Sequence, residues 1–281
     1  MNDKHSILQE CPQNCQRLFG VKFELFEILL EKVQKSEETY LLNNPISNRG
    51  LASDFSLANQ LLLTLEYLRQ YPTFISLGFS YGISESYANK IYHKIRVILA
   101  EEIGLLNPEK LKYKHIKTAI IDVTVQPIER PVKEQEKYYN GSKRKHIIKV
   151  QLIANQKDNG IEHCRVELEG RKSDIRIFRE TPLVIHPKIK IKADLGYLGI
   201  DKIHKNSKVP HKKPKNGELT KKQIKQNTSF RQKRVRIEHI NRVCKCFRIV
   251  KETYRNALRN IESVWLIICG LVNLNVFRIL K

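Results

Sequence analysis

The chain has 281 residues, of which 41% are hydrophobic, so it can form one large domain or two moderate ones, and global disorder is excluded. Its formal net charge of +22 is unevenly placed, because residues 1–110 carry 11 basic and 13 acidic side chains and the basic excess lies in residues 111–281. Charge confined to one part of a folded chain indicates a polyanionic partner, for which nucleic acid is favoured over an anionic membrane surface or simple solvation.

The first hundred residues have the spacing of helices. Apolar residues recur at helical intervals over Phe23–Val33, and a further helix is predicted over Leu57–Tyr71. Within residues 74–98 a short apolar helix meets Gly82, and Ser84 is placed to cap a longer helix. Two helices joined by a glycine-containing turn are typical of a helix-turn-helix, although a plain packing hairpin has the same pattern.

After Pro108 the pattern changes to strands. The β-branched segment Ile116–Val125 is nearly continuously apolar, which predicts a strand buried on both faces. Four more strands are predicted at 146–154, 160–168, 189–193 and near 209, with a tight turn at 140–141 and a helix that begins at 174. This order predicts an α/β domain with a mixed five-stranded sheet flanked by helices, whose first three strands form an antiparallel meander.

Two aspartates occupy positions that favour metal-dependent phosphodiester chemistry, in which carboxylates hold divalent cations. Asp122 lies inside the apolar run 120–125, where an unpaired carboxylate is costly, and no lysine or arginine is within four residues of it. Metal binding is favoured there over a strand-end acid that faces solvent. Asp194 directly follows the strand at 189–193, where ligands gather in α/β sheets, although a turn or helix cap explains it equally well.

A third acid, Glu238, stands out because of its basic surroundings. Residues 208–251 contain 15 lysines and arginines and only two acids. Apolar residues at helical intervals predict a helix over 230–254, with Arg234 and Arg242 one turn to either side of Glu238. Glu238 is therefore a candidate metal ligand or a partner of one of these arginines in a structural ion pair. The basic helix is predicted to meet DNA phosphates.

The six cysteines and the apolar segments bear on the compartment. No two cysteines have the spacing of a zinc knuckle, so free thiols in a reducing compartment are expected. The N-terminus lacks the apolar core of a signal peptide, and the most apolar run, 264–277, is too short to cross a bilayer. A cytoplasmic, nucleoid-associated protein without a membrane partner is expected.

Several segments together resemble the insertion-sequence transposases that carry a DDE catalytic triad on a ribonuclease-H-like fold. The likeness extends from about Leu61 to the C-terminus. Its segments are IIDVTVQPIERP with Asp122, YYNGSKRKHIIKVQ, GRKSDIRIF, IKADLGYLG with Asp194, VPHKKPKNGELT, and RQKRVRIEHINRVCKCFRIV with Arg234, Glu238 and Lys245. The family signature has a tyrosine three residues before its arginine, and here that position is Arg231, so the DNA-positioning role of the tyrosine is not expected.

The resemblance implies a helix-turn-helix domain over 1–110 that binds the terminal repeats of the element, and a ribonuclease-H-like catalytic domain over 111–281. It implies two Mg²⁺ (or Mn²⁺) ions held by Asp122, Asp194 and Glu238, nicking of DNA at the transposon ends, and joining of the freed 3′-hydroxyl to target DNA. The expected partner is double-stranded DNA, on which the chain would assemble as a homo-oligomer. Backbone contacts are expected from Lys143, Arg144, Lys145, Arg234, Arg242 and Lys245, and base contacts from Ser86, Asn89, Lys90 and His93.

Two alternatives remain open at this stage. A domesticated, catalytically inactive transposase would act only as a DNA-binding protein, and the presence of all three acids speaks against it. A non-catalytic basic protein that coats nucleic acid would need no buried acid, so Asp122 speaks against that alternative.

Overall fold

The computed structural model describes residues 3–43 and 55–277, which group into two compact units. The first contains the N-terminal residues up to Gly104, Lys245–Lys251 and the residues from Gly270 onward, and the second contains Leu105–Cys244 and Glu252–Cys269. The two C-terminal segments of the first unit were not anticipated from the sequence. The division into domains at 1–110 and 111–281 stays a prediction.

The first unit is helical. Its helices are α1 (Lys4–Glu10), α2 (Cys15–Phe19), α3 (Phe23–Asn43), α4 (Leu57–Gln70), α5 (Phe74–Tyr81) and α6 (Glu85–Glu102), together with α10 (Arg248–Lys251). Side-chain caps begin four of them, because Asp3, Ser56, Thr73 and Ser84 each accept a hydrogen bond from the backbone N–H three residues later. The helices predicted from the sequence are confirmed, whereas α1 and α2 were not predicted.

The turn between α5 and α6 has the glycine that the sequence indicated. Gly82 adopts a left-handed conformation with φ of 68°, and the backbone N–H of Ile83 donates to the carbonyl oxygen of Gly78 at 2.9 Å. The stripe predicted to be buried on α6 is buried, and it consists of Ala88, Ile91, Tyr92, Ile95 and Leu99. The hairpin therefore buries one face of α6, and Ser86 and Lys90 on the opposite face are exposed.

The second unit is built on a mixed sheet. Its strands are β1 (Lys110–Leu111), β2 (Thr118–Pro127), β3 (Tyr139–Asn140), β4 (Lys145–Asn155), β5 (Ile161–Glu167), β6 (Val184–Ile185), β7 (Lys190–Lys192) and β8 (Ser207–Lys208). The main sheet has the order β3-β4-β2-β7-β8, and β5 also pairs with β4. Strand β4 is antiparallel to both of its neighbours β2 and β5, whereas β7 runs parallel to both β2 and β8. The remaining strands, β1 and β6, form a separate parallel pair.

Helices flank this sheet, so the mixed α/β fold expected from the sequence is confirmed, although the sheet has six strands rather than five because the two-residue strand β3 was not predicted. They are α7 (Gln135–Tyr138), α8 (Asp174–Glu180), α9 (Lys221–Cys244) and α11 (Ile261–Val272), of which α11 groups with the second unit up to Cys269. The sole tryptophan, Trp265, is fully buried on α11, and its indole N–H donates to Gln126 of β2 at 2.7 Å. None of the described helices combines the length and apolar character that crossing a bilayer requires.

Two predictions of local structure were wrong in extent. The helix expected over 230–254 begins at Lys221 and ends at Cys244. Its start was missed because the first turns are mostly polar and carry no apolar periodicity. The turn predicted at 140–141 spans residues 141–144, and the left-handed residue in it is Arg144, with φ of 51°. Lys245 consequently lies beyond the end of α9.

Candidate active site

Asp122 lies in the middle of β2, the central strand that pairs with both β4 and β7. Its side chain is only 18% exposed, which contradicts the alternative of a strand-end acid that faces solvent. Each oxygen of the carboxylate has one hydrogen-bond donor within the second unit. Its Oδ1 accepts from the guanidinium of Arg234 at 3.1 Å, and its Oδ2 accepts from the amide of Asn241 at 2.8 Å.

Strand register places Asp194 beside Asp122. Ile120 of β2 is the parallel partner of Lys192 of β7. Each aspartate follows two residues later, Asp122 still within β2 and Asp194 just beyond the end of β7, and paired strands lie about 4.8 Å apart, so the parallel pairing brings Asp194 toward Asp122. Asp194 also caps a 3-10 turn, because its Oδ1 accepts from the backbone N–H of Gly196 at 2.9 Å. Both interpretations of Asp194 considered from the sequence are therefore compatible with the structure.

A fourth acid, Asp174, reaches the same place from the start of α8. A Cβ atom added to Gly196 would lie 2.6 Å from Oδ2 of Asp174 and 3.0 Å from Oδ1 of Asp194. The two carboxylates thus flank a glycine whose missing side chain leaves room for them. The other oxygen of Asp174 forms a salt bridge with Lys149 at 2.9 Å. Asp174 belongs to the segment GRKSDIRIF of the resemblance but was not predicted as a site residue.

Helix α9 supplies the third predicted acid. Arg234, Glu238 and Asn241 are spaced by four and three residues, so they share one face of the helix. Glu238 is exposed and forms no hydrogen bond or salt bridge with any residue whose side chain the structure describes. The ion pair with Arg234 or Arg242 that was weighed from the sequence is therefore wrong, since Arg234 binds Asp122 and Arg242 contacts His239 at 2.9 Å.

The electrostatics of Asp122 link these acids. Burial raises the pKa of its carboxyl from 3.8 to about 6, against the opposing effect of the Arg234 guanidinium. The negative charges of Asp194, Asp174 and Glu238 raise it further. Four carboxylates thus act on one another across a small region, which is the kind of perturbation that clusters at functional sites.

The acids are close but do not form a ready-made metal cage. Within the described part of the chain, no three acidic, histidine or cysteine side chains converge closely enough to hold one ion. The guanidinium of Arg234 supplies the positive charge that compensates the buried Asp122 carboxylate. Among the described residues, Oδ1 of Asn241 is buried without a hydrogen-bond partner beside Asp122. A set of carboxylate and amide oxygens with unfilled acceptor capacity suits a hard divalent cation.

The residues expected to contact DNA are distributed over both units. In the second unit, Lys143, Arg144 and Lys145 are exposed at the turn before β4. Arg242 is exposed on α9, whereas Arg234 is turned inward to Asp122. In the first unit, Lys245 lies in the turn that precedes α10. On α6, Ser86 and Lys90 are exposed, and Asn89 and His93 are half-buried.

Comparison with known families shows the class to which the chain belongs. Residues 121–273, more than half of the chain, match the family described as the DDE superfamily endonuclease. Residues 54–104, which include α4, α5 and α6, match the helix-turn-helix of the DDE superfamily endonuclease. The chain therefore belongs to the DDE-class insertion-sequence transposases. The resemblance noted in the sequence and the ribonuclease-H-like fold it implied are confirmed.

One relative is similar over nearly its whole length. The chain is 32% identical over 262 residues to a protein of Microchaete diplosiphon described as a probable transposase for insertion sequence element IS702. The similarity covers 92% of this chain and 92% of the relative. The family implies an endonuclease that uses divalent metal ions and a helix-turn-helix that binds DNA.

Proposed function

We propose that the chain nicks DNA at the inverted repeats of a transposon and joins the resulting 3′-hydroxyl to target DNA. Asp122, Asp194 and Glu238 are the proposed ligands of two Mg²⁺ or Mn²⁺ ions. The observation that carries the proposal is the parallel pairing of β2, which bears Asp122, with β7, which ends two residues before Asp194, together with the face of α9 that bears Glu238, anchored to Asp122 through Arg234 and Asn241.

When bound, the ions would activate water and neutralise the charge on the attacking and leaving oxygens of a phosphodiester. The protein residues have separate tasks. Asp122 and Asp194 present carboxylate oxygens from a rigid sheet, and Asn241 orients the Asp122 carboxylate. Arg234 holds the negative charge of Asp122 in the metal-free protein, and its guanidinium is then available to pair with a DNA phosphate.

We include Asp174 in this set. Its carboxylate shares the space beside Gly196 with that of Asp194, and the ammonium of Lys149 fixes its direction by donating both to Asp174 and to the backbone carbonyl oxygen of Lys172 at 2.7 Å. Asp174 is therefore a positioning residue that keeps Asp194 directed at Asp122 or a further ligand in the same cluster. Sequence spacing gave no signal for either role, because Asp174 resembles an ordinary first-turn acid of a helix.

DNA binding is proposed for both units. The exposed side of α6, with Ser86, Asn89, Lys90 and His93, would read the terminal repeat in the major groove. The exposed lysine and arginine side chains at 143–145, Arg242 and Lys245 would bind backbone phosphates. Assembly as a homo-oligomer on DNA and a cytoplasmic, nucleoid-associated location belong to the same proposal.

The test is nicking of a supercoiled plasmid that carries the genomic sequences flanking the gene. With Mg²⁺ or Mn²⁺, we expect the wild type to nick within these flanks, and Asp122→Asn, Asp194→Asn and Glu238→Gln to lose at least about a thousandfold in rate, because each removes a ligand from the reacting centre. Glu136→Gln changes an exposed acid of the same unit and should retain activity. Binding of a linear duplex of the flanks should survive in all variants.

Two outcomes would contradict the proposal. Full nicking by all three site variants would remove these acids from the chemistry. A wild type that binds the flanks but does not nick them with either metal would instead support the alternative of an inactive, transposase-derived DNA-binding protein. Calorimetric titration with Mn²⁺ supplies a readout independent of nicking, since loss of a ligand should weaken metal binding.

A further inference from the structure

The second unit contains a large cavity whose lining includes residues of β2, β7 and α9, the elements that bear or precede the site acids. Its volume is about 1100 Å³, compared with roughly 300–1,000 Å³ for typical small-molecule pockets. It opens among the start of β2, the β4–β5 turn, the β7–β8 edge and the first half of α9. Its lining is strongly basic, because it contains five lysines and a single acid, Asp201. The lysines are Lys117, Lys157, Lys190, Lys192 and Lys208.

The wall formed by α9 is held in place by specific contacts. The side chain of Asn227 accepts from the backbone N–H of His211 at 2.8 Å and donates to its carbonyl oxygen at 3.0 Å. The imidazole of His211 also contacts the amide of Gln226 at 2.7 Å. The loop that follows β8 is thereby tied to the helix, and the cavity is a built feature of the unit.

The cavity and the acids lie along one face of α9. Asn227 and Phe230, which line the cavity, continue the helical stripe of Arg234, Glu238 and Asn241 toward the N-terminus. From Phe230 to Glu238 the helix rises about 12 Å, at 1.5 Å per residue. On the sheet, Lys190 and Lys192 of β7 precede Asp194 by four and two residues. A strand of DNA that passes the acids would therefore continue into the cavity.

The chemistry of the lining fits one nucleic-acid strand. Ammonium groups bind phosphates, and the ring of Phe230 offers a surface on which a base can stack. A duplex offers no unstacked base to that ring, so the lining suits a single strand better than double-stranded DNA. We propose that this cavity binds the single-stranded DNA that adjoins the scissile phosphate. The inference rests on the proposed function for the source of that strand, but its binding test does not depend on catalysis.

The test measures binding of a fluorescent eight-nucleotide oligothymidylate to the full chain by anisotropy, in EDTA so that no cleavage occurs. The variant Lys157→Ala/Lys190→Ala/Lys208→Ala removes three exposed lysines of the cavity. We expect binding to weaken about tenfold or more. The slope of log affinity against log salt concentration should become shallower by about 2, since each phosphate contact on single strands contributes roughly 0.7.

A matched control removes the same charge elsewhere. Lys133→Ala/Lys202→Ala/Lys205→Ala changes three exposed lysines of the same unit outside the cavity, and it should keep the wild-type affinity and slope. Phe230→Leu should weaken binding about tenfold without a change in slope, because it removes stacking and no charge.

Three results would overturn the inference. They are wild-type binding by the cavity variant, an equal loss in the control variant, and an equal loss of affinity for a blunt duplex of the same length, which would make the lysines part of a general DNA surface. The fluorescence of buried Trp265 verifies that each variant is folded. A chain that binds the oligonucleotide as expected but nicks no plasmid would leave this inference standing and contradict the proposed function alone.

Discussion

Replacing Asp122 by asparagine removes a buried negative charge from the site and preserves the shape of the side chain. The oxygen of the substituted amide can still accept from Arg234. A 180° flip of the Asn241 amide lets its oxygen accept from the new N–H group. Because burial raises the pKa of Asp122 from 3.8 to about 6, the folded protein binds more protons than the unfolded chain between these two pH values. The stability of the wild type therefore falls as pH rises through this window and is level above it.

The magnitude follows from the shift of about two pKa units. At 1.36 kcal/mol per unit, the ionised carboxylate costs about 3 kcal/mol at neutral pH when no metal is bound. Asp122→Asn lacks this cost. Relative to the wild type, its free energy of unfolding should increase by about 2 kcal/mol between pH 4.5 and pH 7.5, since part of the change occurs below pH 4.5.

The assay is urea unfolding in EDTA, followed by the fluorescence of Trp265. This residue is the only tryptophan of the chain and is fully buried in the second unit, so its signal reports the unit that contains Asp122. Asp201→Asn replaces an exposed aspartate and should show no difference that depends on pH. A difference for Asp122→Asn that is constant with pH, or that declines as pH rises, would refute the reasoning, because Arg234 would then outweigh burial.

Three further substitutions test the packing. Gly196→Ala places a methyl group within 3.0 Å of two site carboxylates, so nicking should fall at least about tenfold while duplex binding is retained. Gly270→Ala places a Cβ 1.9 Å from the backbone carbonyl oxygen of Ile103, at the end of α6, and should lower the free energy of unfolding by about 1–3 kcal/mol, measured by thermal unfolding. The control Gly217→Ala, whose Cβ would lie 3.7 Å from its nearest neighbour, should be nearly neutral. Trp265→Phe removes the indole donor from buried Gln126 and should cost about 1–3 kcal/mol by circular dichroism, and an unchanged midpoint would contradict that hydrogen bond.

Much of the architecture could be predicted because its signals are local. The apolar run around Ile120 and Ile121 indicated the central strand, and Ser84 with Gly82 indicated the start of α6 and the turn before it. Such features depend on neighbouring residues, so periodicity and capping chemistry reveal them. The extent of α9 was missed because its first turns contact little and have no buried stripe.

The amino-acid sequence by itself determined which acids were candidates, because a carboxylate in an apolar strand or in a strongly basic segment is conspicuous without any knowledge of its partners. Only the tertiary structure decided what those acids meet. Arg234 and Asn241 are 112 and 119 residues from Asp122, and Asp174 comes beside Asp194 only through the packing of α8. Charge pairing and burial act through space, so the pKa of Asp122 and the membership of the site could not be derived from spacing along the chain.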